Sequence, residues 1–124
     1  MSPLRPQRIV SWVVCLGFVA LGMLYLNAAF FSAWVAGGPP NTNPVGWERR
    51  ALGQLSVSVA SFILSLGSYK LVASLPSWRP IPTAIVLVGL VFSVAPYIGR
   101  FVLQDRCLDS GGQWSNLELI CKAK

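Results

Sequence analysis

The sequence predicts an all-α membrane protein: three transmembrane helices followed by a short C-terminal tail closed by a disulfide. Three observations carry this. Hydrophobic residues make up 54% of the 124 positions and charged residues 11%, against about 25% charged in soluble domains. The apolar residues fall into three runs, 9–35, 55–75 and 81–103. Each is long enough to cross a hydrocarbon core of roughly 30 Å at 1.5 Å per helical residue, and none has the polar face that a helix of a soluble bundle needs. Finally, two cysteines bracket the polar segment after the last run, "RCLDSGGQWSNLELIC" (106–121). The expected organisation is a basic leader over 1–8, helices over 9–35, 54–75 and 81–104, and an extracytoplasmic tail over 105–124.

In the leader, Pro3 and Pro6 delay the first helix. Arg5 and Arg8 resemble the basic end of a signal peptide, but the apolar run outlasts the roughly 7–15 residues of such a segment. Cleavage near Ala29 or Ala36 would place Asn27 or Trp34 where a small residue is required. The first helix is therefore expected to stay as an anchor, with Trp12 and Trp34 at its two interfaces. Asn27 is its strongly polar interior residue. An asparagine at that depth predicts an interhelical hydrogen bond, worth about 0.6–2 kcal/mol.

"GGPPNTNPVGWERR" (37–50) is dense in helix breakers and reads as a loop. The second helix follows with Ser58, Ser61, Ser65 and Ser68 spaced 3, 4 and 3 apart, on one face. Small and hydroxyl-bearing residues let membrane helices approach closely, so this stripe predicts a packing seam or a surface for a partner. "LPSWRPIP" (75–82) is a tight turn that makes the second and third helices antiparallel neighbours. Gly89 and Ser93 form a small-xxx-small pair on the third helix, and Pro96 predicts a kink beyond it.

The tail admits three readings. Cys107 and Cys121 with Asp109 or Glu118 offer metal ligands, yet structural zinc sites favour four Cys or His at short paired spacings. Thiol redox catalysis favours C-x-x-C, and the gap here is 13 residues. A disulfide suits a small polar segment without a core, where closing a loop of about 15 residues stabilises by on the order of 3 kcal/mol. The disulfide reading is preferred, with Asp109 and Trp114 as the residues that touch a partner.

The rest of the chemistry is sparse. There is no histidine, and Glu48, Asp105, Asp109 and Glu118 all lie outside the apolar runs. The chain therefore lacks the commonest general base and any mid-membrane carboxylate for a proton or cation relay. It contains no phosphate-binding loop, dinucleotide fingerprint or nucleophile elbow. No enzymatic activity, cofactor or metal is expected. The net charge of +6 comes from basic residues scattered over short polar segments, which suits lipid headgroups rather than nucleic acid.

Orientation rests on opposed signals. The leader and second turn carry four basic residues (Arg5, Arg8, Lys70, Arg79). The first loop and the tail side carry six (Arg49, Arg50, Arg100, Arg106, Lys122, Lys124), which favours a cytoplasmic tail. A persistent disulfide requires an oxidising compartment, and the basic leader favours a cytoplasmic N-terminus. The cysteines decide the expectation: N-terminus cytoplasmic, tail periplasmic.

The pattern Cys107-Leu108-Asp109-x-Gly111-Gly112-x-Trp114…Cys121 resembles tails of small proteobacterial multi-span inner-membrane proteins, over about 16 residues. Some small multi-span proteins of this general look are immunity proteins against membrane-active toxins. The resemblance and the sparse chemistry together imply a non-enzymatic bacterial inner-membrane protein. It would bind and restrain another membrane protein, most concretely as an immunity protein against a membrane-targeted or pore-forming toxin. The surface would be built from Asn27, the four serines, Gly89 and Ser93, and the tail. Expected partners are membrane lipids and a toxin, a complex subunit or a second copy of the chain. The alternative is a small-solute transport or channel component, with the serines lining a wet path.

Overall fold

A computed structural model describes residues 5–39 and 42–124. It contains α1 (Pro6–Gly37), α2 (Pro44–Ser74) and α3 (Pro80–Asp109), then β1 (Gln113–Ser115) and β2 (Ile120–Lys122). Every helix starts on a proline. The first helical position needs no backbone N–H donor, and the fixed proline φ already suits a helix. This explains the largest departure from the sequence reading. The loop expected over 37–50 ends early, because Asn43 caps α2 by accepting from the Gly46 N–H at 3.0 Å and Pro44 starts it. The second helix thus begins ten residues before the expected position 54. The third runs past 104 to Asp109, and it stays helical through Pro96.

With 32, 31 and 30 residues, the helices are about 45–48 Å long at 1.5 Å per residue. Each is long and apolar enough to cross a membrane and to extend into both headgroup layers. α2 is the middle helix, and α1 and α3 each pack on it rather than on one another. The interior is made mostly of small residues, among them Gly22, Ala29, Ala60, Gly67 and Gly89, with Leu64 the buried large one in the helices. Large apolar side chains point outward: Leu24, Phe30, Trp34 and Phe101 are 67–71% exposed. This inversion of a soluble core is what a lipid-solvated bundle requires, since burial against lipid releases no water and close backbone approach supplies the packing.

The tail is a small hairpin. Gly111 has φ +76° and follows the C-cap Ser110. The Gly111 N–H donates to Leu108 O and the Gly112 N–H to Cys107 O, both at 3.0 Å. These two bonds make a Schellman stop, which turns the chain back across the end of α3. β1 and β2 then pair antiparallel, with Trp114 opposite Cys121, and a Cys107–Cys121 disulfide ties β2 to the last turn of α3.

Candidate functional site

The serine stripe of α2 divides into two kinds of residue. Ser58 Oγ donates to Gly22 O of α1 at 2.8 Å, and Ser65 Oγ donates to Cys15 O of α1 at 3.1 Å. Cys15 Sγ lies 3.1 Å from that same hydroxyl. Ser61 and Ser68 instead donate to their own helix, at Val57 O and Ser65 O. Ser58, Ser61 and Ser65 are buried and Ser68 is half-buried. α1 answers with two serines of its own: Ser11 Oγ donates to Tyr69 O at 3.0 Å and Ser32 Oγ to Gln54 Oε1 at 2.7 Å. The α1–α2 seam is thus a ladder of four serine hydrogen bonds between antiparallel helices. Between its rungs, Gly22 receives the Phe62 ring, which lies 2.9 Å from where a Cβ would stand.

Ser11 and Ser32 were not singled out in the sequence. Their signal is a heptad of small residues, Ser11, Cys15, Gly22, Ala29, Ser32 and Ala36, whose 3.5-residue period keeps one face toward a partner helix.

Gly89 is buried against α2, with Leu64 2.7 Å from its hypothetical Cβ. Gly67 of α2 reciprocally receives Val86 at 2.9 Å. Ser93 is half-buried and donates to Leu90 O of its own helix.

Asn27 stands apart from this seam. At 100° per residue it lies roughly 140–160° around α1 from Gly22 and Ala29, and its side chain is exposed. It sits about 8 Å from the middle of α1, inside a core roughly 30 Å thick. Among the described residues its amide has no partner, so an amide with two donors and an acceptor faces the lipid.

The tail hairpin is docked onto the cap and first turns of α2, within the segment 37–50 whose composition predicts a loop. Asn43 Nδ2 donates to Glu118 O at 2.8 Å, Arg49 to Leu119 O and Arg50 to Leu117 O. Leu119 is buried, has a left-handed φ of +54°, and its N–H donates to Ser115 O at 2.8 Å. Arg50 also lies over the Trp47 ring, 4.9 Å from its centroid. Lys122 and Glu118 pair at 2.6 Å. Trp114 is half-buried, donates to Asn116 Oδ1 at 3.0 Å and lines a cleft between α2, α3 and the hairpin. Asp109 is exposed at the last turn of α3. Both tail cysteines are consumed by the disulfide, so neither offers a thiolate.

No protein-family model matches the chain, and neither a curated protein nor a solved structure does.

Proposed function

We propose that this chain is a non-enzymatic membrane protein that binds and restrains another membrane protein through the outward face of α1. The observation that carries this reading is Asn27, an amide facing lipid with no partner among the described residues. A polar group left without a hydrogen bond in hydrocarbon costs free energy that a partner helix restores. Gln54, Ser58 and Ser65 are engaged within the α1–α2 seam, which favours partner binding over a serine-lined solute path. The most concrete form is an immunity protein against a membrane-targeted or pore-forming toxin. It would lie in a bacterial inner membrane with its N-terminus cytoplasmic and its disulfide-closed hairpin periplasmic. Asp109 and Trp114 would extend the contact at that surface.

Co-expression with a toxin encoded beside its gene tests the proposal. Protection of the cells together with co-purification of the pair supports it; neither protection nor co-purification overturns it. Orientation is tested by labelling intact cells with a membrane-impermeant thiol reagent. Cys107 and Cys121 should label only after reduction, and tail labelling from the cytoplasmic side without reductant would contradict the assignment.

A further inference from the structure

A cleft of about 230 Å³ runs between α2 and α3 directly beneath the hairpin, with Trp114 as part of its roof. Its position follows from two missing side chains. A Cβ on Gly53 of α2 would only just touch Pro96 of α3, at 3.6 Å, and Gly99 has nothing within 4 Å. The helices are antiparallel, so contact between 53 and 96 sets Arg49 opposite Arg100, about one turn nearer the hairpin. Both arginines line the cleft. Below them it is apolar, and its one hydroxyl, on Ser56, is occupied by donation to Phe92 O at 2.8 Å. The cleft opens toward lipid, where Leu52 on its rim is 66% exposed.

The charges at its upper end are unmatched. Arg49 spends one donor on Leu119 O, and a guanidinium has five. Arg100 is exposed and makes no hydrogen bond or ion pair with the described residues. The sole ion pair among those residues joins Lys122 and Glu118. Two guanidiniums above an apolar slot, at the depth where a helix leaves the hydrocarbon, complement a phosphodiester headgroup above an acyl chain. The geometry points to a site for one anionic phospholipid from the leaflet on the hairpin side. Its phosphate is held by Arg100 and Arg49, and one chain lies along Gly53, Ser56 and Gly99. This site is independent of the Asn27 face.

Native mass spectrometry of the full chain in detergent, titrated with phosphatidylglycerol or phosphatidylcholine, tests the site. Phosphatidylglycerol should be retained as a single adduct about tenfold more tightly, because the choline cation is repelled by the arginines. Arg100→Gln should remove that preference. Gly99→Leu keeps every charge but fills the slot, and should also remove it. Lys124→Gln removes one charge elsewhere and should change nothing. Circular dichroism on each variant confirms that its helices are intact. Equal retention of the two lipids overturns the site, as does an equal loss from Lys124→Gln and Arg100→Gln. Undiminished preference in Gly99→Leu overturns it too, because the attraction is then surface charge alone.

Discussion

Gly46 shows how one residue joins the two ends of the fold. It is buried in the first turn of α2, and a Cβ there would collide with Glu118 O and the Asn43 side chain. Gly46→Ala should therefore lift the hairpin off α2 while the disulfide stays closed, at a cost of about 1–3 kcal/mol. Hydrogen exchange would report it as lost protection confined to 113–122. A second contrast separates the serines. Ser58→Ala removes a buried bond to Gly22 O and should lower stability in detergent by about 0.6–1.7 kcal/mol. Ser61→Ala and Ser68→Ala give up bonds to their own helix and should fall within about 0.5 kcal/mol of the parent. Thermal unfolding of the three variants checks the split. Spacing alone placed all four serines on one face, but it carried no information on whether a hydroxyl turns to α1 or back to its own carbonyl. Local back-bonding competes at every serine in a helix.

Among the elements, the helix number, their order and the antiparallel α2–α3 pair were legible because hydrophobic runs and proline clusters are strong local signals. The start of α2 was not. Pro39, Pro40 and Pro44 all read as breakers by composition, whereas Pro44 after a capping Asn43 starts a helix. The docking of the hairpin was hidden for a different reason. Asn43, Arg49 and Arg50 all donate to main-chain carbonyls, and a carbonyl's position depends on a backbone conformation that no side chain announces. The left-handed Leu119 is the extreme case. The α1–α2 seam predicts a clear element-scale result. Gly22→Val should drive α1 away from Phe62 and break the neighbouring Ser58 bond. Cysteine crosslinking between Ala29 and Ala51, which line one cleft between α1 and α2, is then expected to fall sharply, whereas the same change at Gly17, which faces open space, should leave it intact.

For the whole molecule, the hairpin is held in two ways, by the disulfide to α3 and by three side-chain donors to α2. Replacing Cys107 and Cys121 by serine should lower stability by on the order of 3 kcal/mol and leave the hairpin anchored at its α2 side. Chemical unfolding with and without reductant measures this. The doubly held hairpin, the satisfied α1–α2 seam and the largely apolar outer faces leave Asn27 as the exposed side-chain amide within the apolar runs 9–35, 55–75 and 81–103 among the described residues. In the proposed function this residue meets another protein. Asn27→Leu tests it most directly, because the change faces lipid and removes no bond between described residues. The measurement is co-purification of the proposed toxin partner with parent and variant expressed at equal levels. Helical content and thermal stability should be unchanged while recovery of the proposed partner falls about tenfold, for an amide donor–acceptor pair lost from a desolvated contact. Equal recovery with parent and variant would contradict it.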